Sequence, residues 1–167
     1  MNPRELKVEK LTMNIGVGES GEKLDKAKKL LERITGRTAV LTCARKREQS
    51  FKIQRGETIG TKVTIRGKPA EDLLKRAFDA IDRKLSVRSF DKVGNFSFGV
   101  KEYIDFPGVK YDPTIGLVGF DICVTLGRSG KRVAMRRRKQ TKLGKGQYPN
   151  REEAIEFVKA HQVNVYE

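Results

Sequence analysis

The chain opens on an alternating stretch. Leu11, Met13, Ile15 and Val17 fall on one side and Thr12, Asn14 and Gly16 on the other. A period of two predicts a half-buried strand over 6–17. From 22 to 35 the period lengthens: Leu24, Ala27, Leu31 and Ile34 recur at helical spacing, and Gly36 supplies a stop. "TAVLTCA" (38–44) predicts a second strand. "RKREQSFKIQRGETIG" (45–60) keeps no period and predicts a loop. "TKVTIRG" (61–67) alternates again, with Val63 and Ile65 inward and Lys62, Thr64 and Arg66 outward.

"KPAEDLLKRAFDAIDR" (68–83) predicts a helix, with Pro69 in its first turn and Leu74, Ala77, Phe78 and Ile81 as its apolar stripe. Over 94–106, Phe96, Phe98 and Val100 face the core, while Ser97, Lys101 and Tyr103 face out. A Pro/Gly loop follows (106–116). "GFDICVTLG" (119–127) predicts a last strand, with Phe120, Ile122, Val124 and Leu126 inward. Asn150 followed by Glu153 has capping-box spacing and predicts a short helix over 151–162.

Together these elements predict an α+β fold: an antiparallel sheet with helices on one face and an open basic face. A basic C-terminal extension with a short helix completes it. One domain spans 1–167, with 127–167 as the extension. Thr12, Asn14, Lys62, Thr64, Arg66, Ser97, Lys101, Tyr103 and Thr125 share the open face, where cations and hydroxyls suit phosphate and ribose. A merely solvated face has the same alternation.

Charge sharpens that choice. The 167 residues hold 36 Lys+Arg against 21 Asp+Glu, a net +15. This predicts a polyanionic partner, nucleic acid ahead of an anionic membrane surface. The charge is clustered: "RSGKRVAMRRRKQTKLGKG" (128–146) holds nine Lys/Arg and no acid. Such a run is either an RNA-binding arm or a solvated segment, and like charges this dense repel unless neutralised. No run of about 18 apolar residues predicts a membrane span. Two isolated cysteines and a single histidine predict no metal site and no disulfide framework, which suits a reducing cytosol.

Gly16, Gly18 and Gly21 stand at G-x-G-x-x-G spacing between a strand and a helix, the context of a dinucleotide fingerprint. Against that reading, 94–126 favours antiparallel pairing. No acid follows at the ribose position in "VLTCARKR", and no catalytic constellation accompanies the glycines. The sequence therefore predicts no enzyme and no cofactor. The glycines permit a tight turn or close approach of another backbone.

Three blocks, "LTMNIGVGES", "RKREQSFKIQRGETIGTKVTIRG" and "SFDKVGNFSFGVKEYIDFPGVKYD", resemble the universal large-subunit ribosomal protein five family, in its order and spacing over residues 5–127. The tail resembles the archaeal and eukaryotic branch. The resemblance implies a cytoplasmic, non-catalytic constituent of the large ribosomal subunit that binds 5S rRNA and anchors it in the central protuberance. It also implies contacts with large-subunit rRNA, peptidyl-site tRNA, small-subunit ribosomal protein thirteen across an intersubunit bridge, and neighbouring 5S-associated proteins. The rival reading is a free-standing RNA- or tRNA-binding factor.

On that resemblance the rRNA-binding residues are Thr12, Asn14, Lys62, Thr64, Arg66, Ser97 and Lys101 on the sheet face. Arg128, Lys131, Arg132, Arg136, Arg137 and Arg138 in the tail join them. The outer loop, 47–56, meets tRNA through Arg47, Phe51, Lys52 and Arg55. Phe51 either stacks on a base or ribose or packs on its own sheet. Asn14 either reaches RNA or satisfies its own turn. The bacterial pattern has Arg-Gln where this chain has Gln54-Arg55, which keeps the charge but moves it by one position.

Overall fold

The computed structural model describes residues 5–166. The elements run β1 (Lys7–Gly16), α1 (Glu22–Thr35), β2 (Val40–Cys43), β3 (Thr58–Ile65), α2 (Lys68–Asp79) and β4 (Lys84–Ser86). They continue with β5 (Phe96–Val100), β6 (Phe120–Gly127), α3 (Arg132–Met135), α4 (Arg151–Ala160) and β7 (Asn164–Tyr166). Five strands form an antiparallel sheet in the order β2-β3-β1-β6-β5, so the fold is α+β. A separate pair, β4 and β7, runs parallel, with Leu85 opposite Val165.

The chain divides into two compact units. One comprises Thr12–Ile65 and Gly99–Ile122; the other comprises the residues up to Leu11, Arg66–Phe98 and those from Cys123 on. β1, β5 and β6 each contribute residues to both.

In the first unit α1 packs against β3. Its stripe Leu24, Ala27, Leu30, Leu31 and Ile34 is buried, as are Met13, Ile15 and Val63. Burying each such leucine contributes about 2 kcal/mol. The helix starts at Gly21 with Glu22 and Asp25 near its positive end. It stops at Gly36, whose left-handed backbone returns its N–H to the Glu32 carbonyl. Gly60 on β3 has no room for a side chain: a Cβ there would lie 2.9 Å from the Ile15 carbonyl oxygen.

β5 stops at Val100, earlier than the alternation predicts, and Tyr103–Asp105 forms a 3-10 turn. Tyr103 therefore points inward and is fully buried, contrary to its expected place on the open face. Its hydroxyl accepts the Asp112 N–H at 2.8 Å, a better environment for a phenol than an exposed strand end.

In the second unit α2 buries Ala70, Leu73, Leu74, Ala77 and Phe78. The Phe78 ring stacks with Phe96 and Phe98 at centroid distances of 6.2 and 5.9 Å. α2 ends at Asp79, short of the predicted 83, because Asp82 and Arg83 turn left-handed into β4. α4 is capped as its spacing predicts, with Asn150 and Glu153 reciprocally bonded.

Candidate nucleic-acid interface

In the first unit, Thr12, Asn14, Lys62 and Thr64 alternate with the buried positions of β1 and β3, on the face away from α1. Lys62 is exposed and the other three are half-buried. Val40 is 60% exposed opposite Lys62, so no element of this unit covers that face. Asn14 lies within β1 rather than in the turn after it. Lys101 is exposed just past the end of β5.

The same unit carries a projecting hairpin. β2 and β3 pair antiparallel, with a register shift between Thr42 and Cys43. Beyond it, the Ala44 N–H donates to Glu57 O at 2.8 Å and the Gly56 N–H to Ala44 O at 2.9 Å. The region expected to be an unpaired loop is therefore a closed finger, and β3 begins at Thr58 inside its predicted span. Near the end Glu48 and Ile53 exchange backbone hydrogen bonds at 3.0 Å each way, and Lys52 completes the turn with a φ of 56°. Phe51 at this tip is 74% exposed, so it does not pack on its own sheet. Arg45, Lys46, Arg47, Lys52 and Arg55 are all exposed around it. Of the two acids here, Glu57 is turned inward, accepting the Gln54 N–H at 2.9 Å. The finger's outer surface is thus strongly cationic with one protruding aromatic ring.

The turn holding the glycine triplet lacks the strand arrangement of a dinucleotide fold, the alternative weighed and set aside from the sequence. A dinucleotide fold needs β1 and the strand after α1 adjacent and parallel. Here β3 lies between β1 and β2. The Val17 and Gly18 N–H groups, which would face a pyrophosphate, both donate to the Ile59 carbonyl, at 3.0 and 2.9 Å. Gly18 is needed for its φ of 80°, whereas Gly16 has open space where a Cβ would lie.

In the same unit, Asp112 braces the loop 101–119. Its carboxylate accepts from the Thr114 hydroxyl at 2.7 Å, the Thr114 N–H at 3.1 Å and Arg33 at 3.0 Å. These bonds, those of Thr114 foremost, hold the carboxyl below the usual aspartate range. The loop exposes Ile104, Tyr111 and Leu117.

In the second unit Arg66 and Ser97 are exposed. The basic segment is folded, and its cations divide into two kinds. Arg128 is largely buried; it donates to Glu153 and to the Gly146 carbonyl, each at 2.6 Å. Lys131 pairs with Glu9 on β1. Arg132, Arg136, Arg137 and Arg138 are exposed, with the Arg136 Nε donating to the Lys139 carbonyl at 2.8 Å. The pairing of Arg128 and Lys131 left no local trace in the sequence, because their partners are 25 and 122 residues away. Among the described residues no His/Cys/Asp/Glu group is placed to hold a metal, and no helix is long and apolar enough to cross a membrane.

Two family models match this chain: ribosomal protein L5 over residues 3–54, and the C-terminus of the same ribosomal protein family over 58–157. The chain belongs to the uL5 family of large ribosomal subunit proteins. The large ribosomal subunit protein uL5 of Methanoregula boonei is 45% identical over 93% of this chain and 94% of its own length. That of Sulfurisphaera tokodaii is 47% identical over 95% of this chain and 91% of its own. That of Pyrobaculum aerophilum is 49% identical over 90% and 84%. The expected resemblance, and its archaeal character, are borne out along nearly the whole chain.

Proposed function

We propose that the chain, as a structural and non-enzymatic constituent of the large ribosomal subunit, binds 5S rRNA through the uncovered polar face of its sheet, with the exposed arginines of the basic segment reaching large-subunit rRNA. The observation that carries this reading is the face itself. Thr12, Asn14, Lys62 and Thr64 offer a cation, hydroxyls and an amide at strand spacing, with no helix of their unit over them. That set matches ribose and phosphate better than a protein surface.

The finger contacts peptidyl-site tRNA. Five exposed cations around one exposed phenylalanine supply phosphate attraction and a stacking platform, and neither depends on base identity. One ribosome must accept every tRNA, so a sequence-blind tip fits the task. The loop 101–119, with Ile104, Tyr111 and Leu117 exposed on a braced backbone, suits a protein partner, and small-subunit protein thirteen is the proposed one.

The experiment is a salt titration of 5S rRNA binding by the isolated protein. With about six phosphates neutralised, log affinity falls against log salt with a slope of about −4 to −5. A salt-insensitive affinity, or no preference over an unrelated RNA of equal length, overturns the proposal.

A further inference from the structure

The basic segment between β6 and α4 wraps an open cleft of about 900 Å³. Its walls are mixed. Val133 and Leu143 supply apolar surface, Ser129 and Gln147 supply polar edges, and Gly144 and Gly146 present bare backbone. The Gln147 Nε2 donates to the Ser129 carbonyl, which fixes the amide plane and leaves Oε1 as an acceptor. Nothing lies within 4 Å of where a Cβ on Gly144 or Gly146 would stand.

For a phosphate the lining offers two cations, Arg128 and Lys142, and Arg128 is already engaged. Arg128 is bonded to Glu153 and Gly146, and the Glu153 carboxylate is itself part of the lining. The Arg128–Glu153 pair is neutral as a unit, which leaves Lys142 as the remaining cation of the lining, too little to make a phosphate nest. The exposed cations Arg132, Arg136, Arg137 and Arg138 stand outside the lining, in the same segment. An apolar-walled cleft with acceptor edges, set among phosphate-binding cations, is the arrangement that receives a splayed-out base whose flanking phosphates stay outside.

We infer that this cleft takes one unstacked nucleobase of a single-stranded RNA stretch, favouring a base with an exocyclic amine to donate to its acceptors. The inference rests on the RNA-binding reading above and adds a site to it. A base held in a duplex has no access to such a cleft, so the site selects single strands.

The test compares two polyanions on the full chain: single-stranded hexaadenylate, and heparin, which has charge but no base. Amide signals of Gly144 and Gly146 are followed by NMR. Hexaadenylate is expected to shift both, and heparin to shift the Arg136–Arg138 amides only. Gly144→Val fills the cleft without changing charge. It should weaken hexaadenylate binding on the order of ten-fold, the loss of one seated base, and leave heparin binding unchanged. Gly146→Val is the second variant should the first lower thermal stability. Equal shifts from both polyanions, or undiminished hexaadenylate affinity in a folded variant, overturn the inference while leaving 5S rRNA binding intact. If the wild type binds neither hexaadenylate nor 5S rRNA, the RNA-binding reading falls with it.

Discussion

Glu153 holds Arg128 with one carboxylate oxygen, at 2.6 Å, and the backbone N–H of Asn150 with the other, at 2.9 Å. One side chain thus caps α4 and clamps the start of the basic segment. The Asn150 N–H, followed by Arg128, holds the Glu153 carboxyl below its ordinary value of 4.5. A depressed carboxyl stabilises the fold above its unfolded pKa and loses that contribution as pH falls through the lowered one.

Glu153→Gln keeps the cap acceptor and removes the charge. The variant should lose about 1 kcal/mol at neutral pH, the scale of a part-exposed charged pair. Its stability should also decline less steeply than the wild type's as pH drops below about 4.5. Thermal melts across that range check this, and parallel curves for the two proteins would refute it.

Gly16 and Gly18 should separate on substitution. Gly18→Ala forces a Cβ onto a φ of 80° and should cost about 1 kcal/mol or more. Gly16→Ala meets open space and should leave stability within about 0.5 kcal/mol. Chemical denaturation reads both. NADH should give no saturable signal with any of these proteins.

The sheet face and the finger should fail differently. Replacing Lys62, Arg66 and Lys101 with Ala should weaken 5S rRNA binding by about 1–3 kcal/mol. Replacing Arg47, Lys52 and Arg55 should leave 5S binding nearly normal and speed tRNA dissociation from the peptidyl site of assembled ribosomes. All six residues are exposed, so stability should change little in either variant. Loss of 5S binding in the finger variant alone would reverse the assignment.

We propose that the two compact units fold as the single domain expected from the chain's length, because β1 and β6 supply residues to both. Denaturant unfolding followed by far-UV signal and by tyrosine fluorescence should give one coincident transition. Two resolved midpoints would show independent domains.

What was legible in the sequence was whatever repeated. β1, β3 and β6 alternate over enough residues to show their period, and α1 appears over its predicted span. The Asn150–Glu153 spacing announced its cap. β4 and β7 escaped notice because three residues carry no period, and their pairing joins chain positions 80 apart. Tyr103 was misplaced because the alternation continues past Val100 while the backbone turns away. The candidate cations were visible as a composition, but that Arg128 and Lys131 answer to Glu153 and Glu9 depends on long-range folding that no local pattern encodes.

β2 is the outer strand of its sheet, four residues long, and among the described residues it pairs with β3 alone. Its Val40 and Leu41 are exposed, the kind of edge on which a second molecule nucleates aggregation. Arg37 precedes it, and Arg45, Lys46 and Arg47 follow it. Any two copies docking edge to edge would bring these cations together before four residues of backbone pairing could compensate. The guard works only while the charges are unneutralised, so a polyanion that neutralises them also strips this edge of its protection.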